Sequence, residues 1–234
     1  MPIDPAAPRD KPETQQMKVI HKAFRREFRL LPVLVGGVTI GDTARARLVA
    51  ERARLMLALL HEHHDSEDTF IWPLLEQRAP MHKNLVDTME TQHQIVASLI
   101  PEVERGLDEW APTAPGTARV QVARQLADLN RTLQEHLDLE EREVLPLIHD
   151  HLSVAEWEAP QKAAAMGLPS GFRVRMLIAG SVLEDATPAE HAWFRTELPP
   201  PARILWTLVG RRMYAANVRA VRADAISAFA LSEH

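Results

Sequence analysis

The sequence predicts an all-α protein: an up-down-up-down four-helix bundle followed by additional C-terminal helices. Three observations carry this. Four long stretches place apolar residues at i, i+3, i+4 and i+7, the spacing of helices with one buried face. No stretch shows the period-2 alternation of a half-buried strand. A fourteen-residue segment also occurs twice, as EHHDSEDTFIWPLL (Glu62 to Leu75) and EHLDLEEREVLPLI (Glu135 to Ile148). Such a repeat marks duplicated structural units.

Residues 1–14 are polar and proline-rich and read as a disordered lead. From Gln15 to about Val35, Val19, His21, Phe24, Phe28 and Leu31 take helical spacing. Pro32 should bend or end the last turn, and Gly36-Gly37 stops it. Asp42 or Thr43 can cap a second helix reaching about Gln77, with Leu55, Ala58 and Leu59 in core-like rows. Pro73 should kink or terminate it. A third helix, about 81–109, carries Leu85, Met89, His93, Val96 and Ile100, with a kink expected at Pro101. APTAPG (111–116) is a loop. The fourth helix, about 117–150, holds Val122, Leu126, Leu129, Leu133 and His136 on one stripe. Four such helices joined by short loops form a bundle over residues 15–151.

Residues 152–234 form a helical extension. Ser153 with Glu156, and Thr187-Pro188-Ala189-Glu190, are helix starts. GLPSG (167–171) and LPPPA (198–202) are breaks. Trp193, Trp206, Leu205, Leu208 and Val209 give the extension an apolar face to lay on the bundle. Arg211, Arg212, Arg219 and Arg222 read as a solvated helix face.

Composition narrows the function. There is no Cys, which excludes thiolate zinc sites, iron–sulfur clusters, disulfides and cysteine nucleophiles in this chain. That fits a reducing cytoplasm, as does an N-terminus without the apolar core of a signal peptide. A formal net charge of −5 argues against a broad nucleic-acid surface. No apolar run approaches the ~20 residues of a membrane span. Nine of the eleven histidines lie between positions 21 and 151.

Within the repeat, Glu62/Glu135, His63/His136, Asp65/Asp138, Glu67/Glu140, Pro73/Pro146 and Leu74/Leu147 are identical at one offset, and His21 and His93 keep nearly the same interval. Residues four apart stack on one helix face. His63 with Glu67, and His136 with Glu140, therefore each present an imidazole and a carboxylate to one point. His21 and His93 can converge from the other two helices. Buried carboxylates need a positive partner or become protonated. No Lys or Arg repeats at matching places, so a pair of metal ions would supply the charge. A single His-x-x-x-Glu is usually a surface pair worth ~0.3–0.5 kcal/mol. Two copies at one offset, with matched histidines upstream, are not explained that way. His64, beside His63 but matched by Leu137, is a further candidate ligand, with Glu90 as its rival. Imidazole and carboxylate suit iron, zinc and manganese alike.

These residues resemble the hemerythrin-like, HHE cation-binding family. Its helix-one His, helix-two His-x-x-x-Glu, helix-three His and helix-four His with a following carboxylate map to His21, His63 and Glu67, His93, and His136 with Glu140. The resemblance implies a bundle holding two non-haem iron ions joined by an oxo or hydroxo bridge. It also implies binding or reduction of dioxygen, nitric oxide or peroxide. The oxygen carriers have a second helix-three His where this chain has Met89. They have Asp five residues after the last His, where this chain has Glu141. Three readings follow: a binder or sensor of those small molecules, a catalase-like or oxidase enzyme at the same site, and a metal-free helical interaction module.

Overall fold

A computed structural model describes residues 10–167 and 171–231, with side chains described for 10–160 and 171–223. Among them there is no strand. Helix α1 spans Gln15–Gly36 and α2 spans Thr43–Phe70, the latter capped by Asp42, whose carboxylate accepts from the Arg45 N–H at 3.0 Å. A short α3 (Trp72–Arg78) and a 3₁₀ turn (Pro80–His82) lead into α4 (Lys83–Trp110). Helix α5 (Gly116–Leu139) continues through a π-helical turn (Glu140–Val144) into α6 (Leu145–His151). Helices α1 and α4 each lie against both α2 and α5, closing the four-helix ring. Helix α1 runs on through Pro32, and α4 runs on through Pro101.

The repeated prolines act differently in the two copies. A proline lacks an N–H and its ring crowds the carbonyl four residues back. In the first copy α2 ends at Phe70 and α3 restarts, short of the expected continuous helix to Gln77. In the second, the ladder widens into the π turn ahead of Pro146 and the rod stays continuous.

The apolar interior is divided in two. One core contains Phe24, Phe28, Leu60, Val96 and Leu133. The other contains Met17, Ile71, Met89, Val144 and Ile148. On each bundle helix the singled-out histidine lies between these two sets in sequence. Helix α2 buries Ala53, Met56, Leu57 and Leu60, while Leu55 and Ala58 are half-buried. Leu55 packs both against the first core and against the cluster of Leu177, Trp206 and Tyr214 in the extension.

That extension comprises α7 (Val154–Gly167), α8 (Phe172–Leu183), α9 (Pro188–Glu197), α10 (Pro200–Leu205), a π turn (Trp206–Gly210) and α11 (Arg211–Leu231). Helix α7 packs on α2, α8 packs on α1, and α11 packs on both. Both expected capping boxes form, Ser153 with Glu156 and Thr187 with Glu190. Thr187→Ala is expected to cost about 1 kcal/mol in a denaturation curve. Gly180 admits α11, since a Cβ there would overlap the Tyr214 ring. Two expectations change. Trp193 and Trp206 are buried, but Leu205, Leu208 and Val209 are exposed, because Trp206 and Gly210 occupy the inward side of the π turn. Arg211, Arg212 and Arg219 are solvated. Arg222, however, donates to Glu27 at 2.9 Å and to Glu184 at 2.6 Å.

Glu27 is the centre of that contact. It is 1% exposed, and it accepts from Arg26 at 3.0 Å and from Arg52 at 2.9 Å as well as from Arg222. Arg26 also reaches the Ser181 carbonyl and Asp185 on the extension, at 2.6 and 2.7 Å. Burial alone would raise the Glu27 pKa. Arg52 first, then Arg26 and Arg222, instead hold it down at about 2.

Residues 1–9 of the expected disordered lead, and residues 168–170 of the GLPSG break, lie outside the described residues. Pro12, within that lead, is buried, and its carbonyl accepts from His149 Nδ1 at 2.9 Å, so the tract is ordered before residue 14.

Candidate metal centre

The layer between the two apolar cores holds all seven singled-out residues. His21, His63, His64, Glu67, His93, His136 and Glu140 are buried, none more than 8% exposed. They form two halves. In one, His21 and His63 turn their Nε2 atoms toward each other at 3.3 Å. In the other, His93 and His136 do the same at 3.3 Å. Each glutamate reaches both halves. Glu67 lies 3.4 Å from His63 Nε2 and 3.6 Å from His93 Nε2. Glu140 lies 3.4 Å from His21 Nε2 and 3.5 Å from His136 Nε2. The arrangement is pseudo-twofold, as helix periodicity and the repeat require.

His64 breaks the symmetry. Its ring stacks on His93 with centroids 4.0 Å apart, and its donor nitrogen lies within 4.8 Å of donors on His93 and His136. One half therefore has three imidazoles and the other two. Glu90 is half-buried and stands outside these clusters. His61 and His82 are exposed.

Electrostatics make the layer unfavourable as it stands. Burial, then the neighbouring histidines, hold His63 and His64 well below the usual imidazole range, and His136 is lowered in the same way. Burial, then Glu140 and Asp68, push Glu67 well above the usual carboxylate range, and burial raises Glu140 too. Both oxygens of Glu67, both of Glu140, and His64 Nε2 are buried with no hydrogen-bond partner among the described residues. An unmade buried hydrogen bond costs about 1–3 kcal/mol, more for a charged group. A cation placed among these atoms removes that penalty, and neutral imidazoles with carboxylates are the donor set a divalent metal takes. The residues fit a bound metal cation.

A second set of carboxylates orients the rings from outside. His93 Nδ1 pairs with Asp68 Oδ1 at 2.6 Å, and His21 Nδ1 pairs with Glu141 Oε1 at 2.9 Å. Asp68 in turn accepts from the Trp72 indole at 2.8 Å, and Glu141 from Arg25 at 3.1 Å. His136 Nδ1 lies 3.2 Å from Gln92 Oε1. Sequence reasoning missed Asp68, although the signal was present: Asp68 and Glu141 are both acidic and hold the same offset as Glu67 and Glu140. Of the two adjacent glutamates four and five residues after His136, Glu140 faces the layer and Glu141 pairs with His21 Nδ1 from outside it.

The family model for the hemerythrin HHE cation-binding domain matches residues 13–148. The chain belongs to this family. The HHE domain is a cation-binding domain, and the matched stretch contains all seven buried donors. The chain is also similar to "Zinc finger protein BRUTUS" of Arabidopsis thaliana, at 26% identity over 136 residues, 58% of this chain. It spans 10% of that protein's length. This chain has no cysteine, so its HHE domain carries no thiolate zinc site. No solved structure matches the chain significantly. Among the described residues no helix is long and apolar enough to cross a membrane.

Proposed function

We propose that this HHE protein holds two non-haem iron ions and binds or senses dioxygen, nitric oxide or peroxide. One observation carries the reading: two fully buried glutamates each lie within 3.6 Å of imidazole nitrogens from both halves. His21 and His63 would serve one ion, and His64, His93 and His136 the other. Glu67 and Glu140 would be shared by both. An iron pair supplies electron transfer to small molecules and open positions at which they bind. The chain's own part is to hold the imidazoles in fixed orientation and to exclude bulk water with Phe24, Leu60, Met89 and Val144. A cavity of about 90 Å³ beside His64, His93 and Asp68 gives room for a molecule of diatomic or peroxide size.

Protein purified with iron available is expected to contain two irons per chain by elemental analysis. Its reduced form should give a nitric oxide adduct visible by electron paramagnetic resonance. One iron or none after anaerobic reconstitution would overturn the two-ion reading. Peroxide-dependent oxygen release above that of free iron would make the site enzymatic.

The outer carboxylates give a separate test. Asp68→Asn and Glu141→Gln keep every proposed ligand but weaken the bonds that orient His93 and His21. Each is expected to lower iron affinity about 10–100-fold in a chelator competition while helicity is unchanged. Affinity within twofold of wild type in both variants would show that the rings are held without them.

A further inference from the structure

The extension and the bundle form between them a pocket of about 280 Å³, partly open to solvent and distinct from the small one beside His64. Its walls come from both parts of the chain. Ile178, Val182 and Trp193 face it from the extension, and Ile20 and Leu59 from the bundle. His63 and Glu67 also line it, so it adjoins the half of the metal centre that has only two imidazoles.

Size, polarity and one unmet hydrogen bond define what the cavity takes. A cavity of about 150 Å³ accepts benzene, so this one has room for roughly ten non-hydrogen atoms, far more than a diatomic gas. Its walls are mostly apolar. Trp193 is only 9% exposed, and its indole N–H has no acceptor among the described residues. Leaving that donor unpaired is costly, and an acceptor atom on an occupant would satisfy it. Among the described lining residues there is no Lys or Arg to pair with an anion.

We propose that this cavity is a binding site for a neutral, largely hydrocarbon molecule carrying one hydrogen-bond acceptor, held by the Trp193 indole and seated against His63 and Glu67. The extension supplies the donor and much of the apolar wall. The two-iron reading is not needed for it, so metal-free and iron-loaded full-length protein are tested in parallel. Binding without iron, or iron without binding, separates the two ideas.

The probes are acetophenone, cumene and benzoate, which share a ring and overall shape. Cumene lacks the acceptor and benzoate adds a charge. Saturation-transfer NMR and titration calorimetry read binding. One acetophenone site per chain is expected, at least fivefold tighter than cumene, with benzoate not bound. Val182→Phe fills the cavity and should weaken acetophenone at least tenfold. Ile178→Phe repeats that test if the circular dichroism of Val182→Phe shows that it does not fold. Trp193→Phe should bring acetophenone down to the affinity of cumene and leave cumene unchanged. The proposal is overturned if acetophenone does not bind the wild-type chain, if the folded cavity-filling variant binds it as wild type does, or if Trp193→Phe weakens both probes equally.

Discussion

Replacing Glu67 or Glu140 by alanine is expected to drop the chain from the proposed two irons to less than one. Each carboxylate lies within 3.6 Å of imidazole nitrogens from both halves, so removing one takes a donor from both proposed ions at once. His149→Ala and His151→Ala should retain wild-type iron, because neither residue belongs to the clusters. The charge-removing variants Glu67→Gln and Glu140→Gln separate ligation from structure. In the metal-free protein both carboxyls are buried with no Lys or Arg partner among the described residues, so neutralising either should leave stability unchanged or raise it. The same substitutions should abolish the stabilisation that added iron confers. Elemental analysis and thermal unfolding with and without iron make the measurement. Equal iron retention in all four alanine variants would place the metal elsewhere.

Glu27→Ala is expected to destabilise the protein by about 3–5 kcal/mol, the usual cost of breaking a buried ion pair from one side. The substitution leaves Arg52, 4% exposed, and Arg26, 7% exposed, without the carboxylate they share, and Arg222 loses one of its two acceptors. Urea unfolding followed by circular dichroism reads the loss. Arg142→Ala, whose partner is its exposed sequence neighbour Glu143, is the control and should change stability by less than about 0.5 kcal/mol. The pH dependence has a definite sign. A carboxyl with an ordinary pKa of 4.5 unfolded and about 2 folded contributes fully above pH 4.5 and loses its contribution as pH falls toward 2. That difference corresponds to about 3 kcal/mol. The Glu27→Ala variant should lack this part of the acid sensitivity. A wild-type and variant difference that stays constant from pH 6 to pH 3 would contradict the assignment.

The four-helix bundle and the buried donors were legible because local rules determine them. Helical period sets which face His63, Glu67, His136 and Glu140 share, and the repeat identifies the face that matters. The choice between Glu140 and Glu141 could not be made that way. The π turn begins at Glu140, and α-helical spacing does not say which of two adjacent carboxylates turns inward across such a junction. His64 was ambiguous because its counterpart is Leu137, so the repeat gave it no support. Glu27 and Arg222 were illegible for another reason. They lie 195 residues apart, and nothing near either one signals burial. Only the packing of α11 on α1 does that.

Helix α1 carries His21 on one side and the Arg26–Glu27 pair on another, with Glu27 about 9 Å further along the axis than His21. The same rigid element therefore forms one wall of the donor layer and the anchor of the extension. The two cannot be unfolded independently at their junction: detaching α8 and α11 exposes the two buried guanidinium groups of Arg26 and Arg52, on and against the helix that positions His21. The extension is energetically continuous with the bundle. Free energy gained when the donor layer binds a cation is then shared along α1 with a segment whose described residues contribute no donor to it.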